Sequence, residues 1–205
     1  MGKFVTFEGG EGSGKTTLIE NLKKYFEEHN IDYLATREPG GLKICEEIRD
    51  ILKYSTEKIS LNAEILLFSA SRAELVEDVI MPNLKAGKVV LCDRFIDSTR
   101  VYQGYANNFD DQKIMDITNF ATGGLMPDIT FYLDIDPEVA FARKGGKDKG
   151  DRIEERDLSY HQMVREGYQK IAKNDERSVL IDATKSREEI LQFVIEKLRQ
   201  VNIIE

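Results

Sequence analysis

Short apolar runs alternate with longer segments of helical periodicity along the whole chain of 205 residues. The runs with strand character lie at 4–7, 33–36, 89–93, 130–134 and 179–182. The helical segments lie at 16–29, 62–80, 110–121, 158–173 and 186–201. Strands joined by helices of this length form right-handed crossovers. The pattern therefore predicts an α/β fold, a five-stranded parallel sheet flanked by helices on both faces.

One stretch departs from this alternation. Residues 144–151 read K-G-G-K-D-K-G-D, with three glycines and three lysines, and cannot contribute to a core. We interpret the stretch as a loop inserted in one domain that spans residues 1–205, and not as a linker between two domains.

Composition narrows the class of protein. Hydrophobic residues make up 41% of the chain, and the net charge of -8 disfavours a nucleic-acid partner. Cys45 and Cys92 lack C-x-x-C spacing and are typical of free thiols in a reducing compartment. Without an apolar run of membrane length or a secretion signal, we expect a cytoplasmic protein that does not insert into a membrane.

A glycine-rich segment at 9–16 matches the pattern G-x-x-x-x-G-K-[ST] between a predicted strand and a predicted helix. Glycines let backbone N–H groups curl around phosphates, and the helix N-terminus favours negative charge. Lys15 would neutralise the β- and γ-phosphates, and the Thr16 hydroxyl would bind Mg²⁺. The motif predicts a P-loop NTPase fold, and a glycine-rich turn without function is the alternative. The predicted ATP-binding residues are Gly9, Gly10, Glu11, Gly12, Ser13, Gly14, Lys15, Thr16 and Thr17.

The strand at 89–93 ends in an acid followed by a base, Asp93 and Arg94. Asp93 fits the second metal ligand beside Thr16, and Arg94 stands where ATPase motors commonly have a glutamate. The sequence lacks the N-K-x-D and D-x-x-G motifs of GTP-binding proteins. An acid for the metal beside a cation for a phosphate favours phosphoryl transfer between two anionic nucleotides; a surface ion pair is the alternative.

The helical segment at 62–80 places an arginine on an otherwise apolar face. Ile65, Phe68, Arg72, Val76 and Val79 follow the i, i+3, i+4 rule. Burying an arginine is costly unless it is paired, so the pair Phe68 and Arg72 suggests a pocket wall that presents a ring and a donor to a nucleobase. In the alternative, Phe68 lies in the core and Arg72 extends to solvent.

Several sequence blocks resemble those of one family. They are F-E-G-x-E-G-S-G-K-T-T at 7–17, R-E-P-G-G at 37–41, F-S-A-S-R at 68–72, D-R-F at 93–95, Y-Q-G at 102–104 and G-L-x-P-D-x-T-F-Y-L-D at 124–134. In this order and over most of its length, the chain resembles the thymidylate kinases.

The resemblance implies an activity and an assembly. It implies transfer of the γ-phosphoryl group of ATP to dTMP, giving dTDP and ADP for dTTP synthesis, with Mg²⁺ and in a homodimer. Two alternatives stay open from the residues alone. One is a kinase of broader acceptor range that takes other deoxynucleotides, UMP or dUMP, and the other is a P-loop regulator that binds nucleotide without transferring phosphate.

The resemblance also implies which residues bind dTMP. Its phosphate would be held by Arg37, Arg49 and Arg94, with Glu38 and Asp93 positioning the phosphate and the metal.

The nucleoside would be read by a second set of residues. Phe68 would stack on thymine and Arg72 would bind its edge. The remaining members implied by the family are Thr99 and Gln103 at the base, Tyr102 near the sugar and Glu11 at the 3′-hydroxyl.

The family places a catalytic arginine either in the P-loop or in a lid. The P-loop position is Gly12 in this chain, so the resemblance implies a lid near residues 143–157 that supplies the arginine. Arg152 is the first candidate and Arg143 the second. The predicted catalytic residues are Lys15, Asp93, Arg94, Arg152 and Arg143.

Overall fold

Five parallel strands form one sheet in a computed structural model that describes residues 1–143, 152 and 156–205. Their spatial order is β2-β3-β1-β4-β5. The strands are β1 (Lys3–Gly9), β2 (Tyr33–Arg37), β3 (Val89–Asp93), β4 (Ile129–Asp134) and β5 (Ser178–Asp182). The five predicted strands and their parallel arrangement are confirmed.

Helices connect the strands and cover both sides of the sheet. They are α1 (Lys15–Glu28), α2 (Lys43–Tyr54), α3 (Leu61–Leu75), α4 (Met81–Lys85), α5 (Ile96–Thr99), α6 (Asp111–Thr122), α7 (Pro137–Arg143), α8 (Leu158–Asn174) and α9 (Arg187–Gln200). The periodicity did not predict α2, α4, α5 or α7, which lie outside the five predicted helical segments.

Two π-helical turns interrupt the regular helices, at Val76–Ile80 and at Arg100–Gly104. The first means that 62–80 is not the continuous α-helix predicted from its periodicity. Pro82 follows this turn at the start of α4. In a regular α-helix a proline ring collides with the carbonyl four residues earlier, and a wider turn before Pro82 avoids this contact.

The first core layer lies between the sheet and helices α1 and α9. Leu22 and Phe26 of α1 and Val194 of α9 are fully buried against Phe7 and Phe131 of the sheet. Removing each such side chain from water stabilises the fold by about 1.5–3 kcal/mol. This layer fixes the start of α1 directly after β1.

The opposite face of the sheet is covered by the segments around α3 and α4, and by α8. Leu75, Ile80 and Leu84 pack against Phe4 and Val90 in one cluster. A second cluster is formed largely by tyrosines of α8, β4 and the second π-helical turn. The two clusters hold α3 and the second π-helical turn in place beside the sheet.

Both cysteines are buried as free thiols. Burial raises the pKa of Cys45 and raises that of Cys92 well above its usual value. A thiol that stays protonated is a poor nucleophile, as expected from the strand position of Cys92.

No described helix combines the length and the apolar character needed to cross a bilayer.

Candidate active site

The site lies at the carboxyl edge of the sheet, where strands β1, β2 and β3 end together. Arg37 pairs in register with Asp93, and Asp93 with Phe7 two residues before the glycine loop. Ligands of parallel α/β sheets bind outside this edge. The register therefore brings the P-loop, Arg37 and Asp93 to one place.

The glycine loop wraps around the lysine that follows it. The Nζ atom of Lys15 donates to the carbonyls of Gly9 and Gly10, both at 3.0 Å, and to the Ser13 hydroxyl at 3.3 Å. Gly9 has φ +144°, and a side chain there would lie 2.7 Å from the Leu133 carbonyl, so glycine is required. The loop thus holds the Lys15 ammonium group in a position from which it can move to bind a phosphate.

The pKa of Lys15 is lowered to about 8, mainly because burial removes water from the ammonium group, with the nearby charge of Arg94 second. Both effects disfavour the charged form of Lys15. A bound anionic phosphate would stabilise the ammonium and raise its pKa again, so the site is suited to a polyanion.

Thr16 and Asp93, the two residues predicted to bind a metal, are in direct contact. The Thr16 hydroxyl donates to Asp93 Oδ2 at 3.1 Å, and Asp93 Oδ1 is buried without a partner among the described residues. Mg²⁺ takes hard oxygen ligands and is commonly held by one or two carboxylates together with phosphates and water. The Thr16 hydroxyl and the Asp93 carboxylate, one oxygen of which has no partner in the described part of the chain, fit that ion.

Arg94 reaches back over the P-loop from an uncommon backbone conformation. Its φ of 69° lies in the left-handed region, which costs a residue other than glycine about 1–3 kcal/mol. The guanidinium donates to Glu11 Oε1 at 2.6 Å, the Gly9 carbonyl at 3.0 Å and the Tyr168 hydroxyl at 3.2 Å. These contacts hold the side chain against the loop.

A buried acid behind Arg94 was not found from the sequence. Glu8 accepts from the Ser98 hydroxyl at 2.6 Å, the Phe95 amide at 2.8 Å and the Tyr168 hydroxyl at 3.0 Å. Burial raises the pKa of Glu8. The sequence did contain a signal for Glu8. It is an acid within a central strand, and a buried charge there requires several hydrogen-bond partners.

A second cavity adjoins the P-loop. Among its lining residues are Phe68, Arg72, Thr99, Tyr102 and Gln103. Glu11 lines it as well, so the structure brings together all six residues that the resemblance assigned to the nucleoside.

Arg72 is buried and paired. It is 1% exposed and donates through Nε to Glu38 Oε2 at 2.8 Å, and through Nη2 to the Thr99 hydroxyl at 3.0 Å and the Phe95 carbonyl at 3.1 Å. The alternative in which Arg72 extends to solvent is wrong, because Glu38 compensates its charge inside the protein. Its Nη1 atom has no partner among the described residues.

Glu38 is the counter-ion of Arg72. Burial raises the pKa of Glu38 to about 7, against the opposing influence of the Arg72 charge. Its Oε1 atom is buried and has no partner among the described residues. The pair therefore leaves one donor, Arg72 Nη1, and one acceptor, Glu38 Oε1, unused.

Tyr102 and Gln103 both belong to the second π-helical turn. The Tyr102 ring lies 5.1 Å from Arg94 Cζ, and Gln103 Nε2 donates to Glu64 Oε1 at 2.7 Å. π-Helical turns are frequent at functional sites. Here two consecutive residues of the turn line one cavity.

Arg37 and Arg49 lie near the entrance. The half-exposed Arg37 forms an ion pair with Glu46 at 2.8 Å, and Arg49 donates to the Pro39 carbonyl at 2.9 Å. Arg49 lines both the P-loop cleft and the second cavity, whereas Arg37 lines only the cleft.

The cleft and the second cavity share part of their lining. Glu11, Glu38, Arg49 and Arg94 belong to both. A ligand in the P-loop cleft and a ligand in the second cavity would therefore come close to each other at these residues.

The two candidate lid arginines lie in different places. Arg143 lines the P-loop cleft and donates to the Ala183 carbonyl at 2.8 Å. Arg152 donates to Glu64 Oε2 at 2.5 Å and to the Leu52 carbonyl at 3.3 Å, and it lines neither the cleft nor the second cavity. The rest of the predicted lid, 144–151 and 153–155, lies outside the described residues.

Two basic residues of the cleft were not predicted. Lys185 and Arg187 line it after the end of β5. Their position after the carboxyl end of a parallel strand was the signal that could have found them.

A glycine loop between a strand and a helix, closed on a lysine and joined through Thr16 to an acid at the end of the neighbouring strand β3, defines a P-loop protein that binds nucleoside phosphates. The adjoining cavity, with further cations at its mouth, gives this P-loop protein a second ligand site.

Comparison with known proteins identifies the family. A family model for thymidylate kinase matches residues 7–194. The chain is 43% identical over 200 residues to a thymidylate kinase of Thermoanaerobacter sp. (strain X514), covering 97% of this chain and 98% of the relative. It is 47% identical over 206 residues to one of Bacillus mycoides (strain KBAB4), covering 96% and 99%. The chain belongs to the thymidylate kinase family, which confirms the resemblance, and is accordingly an ATP-dependent phosphotransferase.

Proposed function

We propose that this chain transfers the γ-phosphoryl group of ATP to the 5′-phosphate of dTMP, giving dTDP and ADP for dTTP synthesis. The observation that carries the proposal is the pair of adjoining spaces that share Glu11 and Arg94. A nucleotide in each space would place its phosphates at these shared residues. The kinase of broader acceptor range and the regulator without transferase activity are not favoured.

The P-loop cleft is the proposed ATP site. Residues Gly9 to Thr17 would surround the phosphates with backbone N–H groups, and Lys15 would move from the loop carbonyls to the β- and γ-phosphates. Thr16 and Asp93 would hold Mg²⁺. When bound, the ion would supply positive charge to the phosphate groups of ATP.

The second cavity is the proposed dTMP site. Arg37, Arg49 and Arg94 would bind the acceptor phosphate at the junction, with Glu38 and Asp93 positioning it.

The nucleoside would extend into the cavity from the junction. Phe68 would stack on the base, and the unpartnered Nη1 of Arg72 would donate to a thymine carbonyl. Thr99 and Gln103 would complete the recognition of the base, Tyr102 would contact the sugar, and Glu11 would accept from the 3′-hydroxyl.

The reaction requires position and charge, and no general base. An oxygen of the dTMP phosphate is already an anionic nucleophile. It forms a bond to the γ-phosphorus while the bond from that phosphorus to the leaving ADP oxygen breaks. Lys15 and Arg94 would stabilise the charge that spreads over the transferred group.

We further infer one domain over residues 1–205 with a lid near 143–157. Arg152 and Arg143 are the two candidates for an additional arginine on the transferred phosphoryl group. The position of Arg152 on Glu64 requires it to leave that contact before it acts, whereas Arg143 already lines the cleft.

An assay of ADP release with different acceptors tests the proposal. We expect dTMP to be preferred over thymidine, dUMP and UMP, and Lys15→Ala to abolish turnover. One methyl group in an apolar pocket is worth about 10–200-fold, so dUMP should retain measurable turnover. Equal rates with all four acceptors would overturn the proposal, and so would the absence of dTDP formation.

Substitution of each arginine separates the two lid candidates. Arg152→Ala should lower kcat by about 10³-fold while dTMP affinity changes little, because the side chain acts on the transition state. Arg143→Ala is the matched comparison. An unchanged kcat in Arg152→Ala, with a reduced kcat in Arg143→Ala, would transfer the role to Arg143.

We also propose that the chain forms a homodimer in the cytoplasm. Helix α3 packs against α6, and together they expose apolar side chains. Leu66 is 56% exposed and Phe120 is 92% exposed. An exposed ring beside other apolar groups is typical of a protein–protein interface.

A further inference from the structure

Glu64 lies behind the proposed base site and has no role in the function proposed above. It is on α3, one turn before Phe68 and two turns before Arg72, and its side chain is 4% exposed. Within the part of the chain that the structure describes, each of its oxygens has one partner. Oε1 accepts from Gln103 Nε2 at 2.7 Å, and Oε2 accepts from Arg152 Nη2 at 2.5 Å.

These contacts determine which way the Gln103 amide faces. As long as Arg152 remains on Glu64, this residue is a carboxylate in an ion pair, and a carboxylate can only accept hydrogen bonds. The amide group of Gln103 must therefore turn its NH₂ toward Glu64. Its carbonyl oxygen accepts no hydrogen bond among the described residues and remains for a ligand in the cavity that Gln103 lines.

A carbonyl oxygen in that cavity distinguishes pyrimidines by their hydrogen-bonding pattern. Thymine and uracil carry an N3–H donor, whereas N3 of cytosine is an acceptor. An acceptor that is fixed in place attracts the first two bases and repels the third. The free Nη1 donor of Arg72 adds the same preference, since thymine offers O4 where cytosine has an amino group.

We propose that Glu64 is a positioning residue that fixes the amide of Gln103 and thereby selects bases with an N3–H donor over cytosine. The proposal rests on the assignment of this cavity to the dTMP base. Without the carboxylate the amide could rotate and present its NH₂ to N3 of cytosine. Sites built around a required hydrogen bond reject the wrong partner far more strongly than sites built on shape.

The test compares dTMP, dUMP and dCMP in Glu64→Gln, by kcat/KM and by dissociation constants measured without ATP. The neutral amide of the variant can donate as well as accept, so it no longer fixes Gln103. We expect the preference for dTMP over dCMP to fall at least about tenfold in both measurements. The ratio of dTMP to dUMP should change less than about twofold, since both bases carry N3–H.

Two further variants make the outcome decisive. Glu74→Gln changes an exposed glutamate on the same helix and should leave all ratios unchanged. The double variant Glu64→Gln/Gln103→Glu exchanges the two side chains and restores an acceptor facing the cavity. The amide now on α3 would donate to one oxygen of the carboxylate now on the π-helical turn, which leaves the other oxygen free. This variant should recover the preference for dTMP over dCMP, and it decides the matter if Glu64→Gln fails to fold.

Unchanged dTMP-to-dCMP ratios in folded Glu64→Gln would overturn the proposal, as would a double variant that does not recover the preference. Failure of the function itself looks different, because the parent protein would then make no dTDP. The dissociation constants still report the base preference of the cavity in that case.

Discussion

The buried pair of Arg72 and Glu38 shows how one residue serves both stability and recognition. Arg72 neutralises Glu38 inside the protein and keeps one donor, Nη1, without a partner in the described part of the chain. A buried ion pair contributes little compared with apolar packing, but removing one partner strands the other. The pair therefore permits a separation of the two roles by mutation.

Arg72→Met should destabilise the fold by about 3 kcal/mol at pH 8, because Glu38 is left as an unpaired buried charge. The loss should be smaller at pH 6. Glu38 has a pKa raised to about 7 by burial, and without Arg72 this pKa rises further, so acid neutralises it. Urea unfolding at both pH values measures the effect.

Glu38→Gln/Arg72→Met is the matched control. It should recover most of the stability and remain poor in dTMP binding. Equal stability of the single and double variants at pH 8 would contradict this explanation.

The lowered pKa of Lys15 predicts that the protein takes up a proton when ATP binds. Its pKa is lowered to about 8 before ATP binds, and the phosphates would raise it. Below pH 7 the ammonium is already formed; above pH 8 it must gain a proton when ATP binds, so affinity falls as the pH rises further. Calorimetry at pH 9 in buffers of different ionisation enthalpy should show uptake approaching about one proton per ATP.

Lys15→Met should abolish this uptake. Lys24→Met, which changes an exposed lysine of the same helix, should preserve it. Uptake that persists in Lys15→Met would assign the proton to another group.

At the scale of elements, the start of α9 illustrates how local sequence fixes a boundary. Ser186 Oγ accepts from the Glu189 amide at 3.2 Å, and Glu189 Oε2 accepts from the Ser186 amide at 2.9 Å. This capping box satisfies two groups that a helix terminus otherwise leaves unpaired. It also places Arg187 at the rim of the cleft.

Ser186→Ala should reduce the free energy of unfolding by about 0.5–2 kcal/mol, since one capping hydrogen bond is lost. Urea unfolding measures the difference. Gln192→Ala, at an exposed position of the same helix, should change stability by only a few tenths of a kcal/mol. If Gln192→Ala lowered the free energy of unfolding as much as Ser186→Ala, the loss could not be assigned to the capping hydrogen bond.

Elements that follow a simple period could be predicted from the sequence, and elements that depend on tertiary contacts could not. The unbroken apolar run of β3 predicted a central parallel strand, and the glycine-rich motif before α1 predicted the position of the P-loop. The two π-helical turns leave no periodic signal in the sequence. Each inserts a single extra residue into a helical turn at a point set by packing or by a proline.

The same limit applies within the site. The i, i+4 spacing that identified Phe68 and Arg72 also includes Glu64, and a carboxylate on that face was readable from the sequence. What it contacts was not, because Gln103 and Arg152 are 39 and 88 residues away along the chain. Glu8 was missed because its partners come from the segment after β3 and from α8.

At the scale of the whole molecule, the apolar surface of α3 and α6 predicts the state of assembly. We expect the parent to form a dimer of 23.4-kDa chains and Leu66→Asp/Phe120→Asp to be monomeric, because two charges would then have to be buried in the interface. Light scattering after size-exclusion chromatography measures the mass. Val201→Asp changes an exposed apolar residue outside these helices and should stay dimeric. A monomeric parent would contradict the prediction.

The buried, protonated state of Cys45 and Cys92 makes the chain suited to fluorescence and spin-label work. Maleimide dyes react with thiolates that they can reach, and neither native cysteine offers one. A single cysteine introduced at an exposed position would carry the only reactive sulfur on the folded protein. Probes could thus be attached at chosen points around the nucleotide sites while both native cysteines are kept.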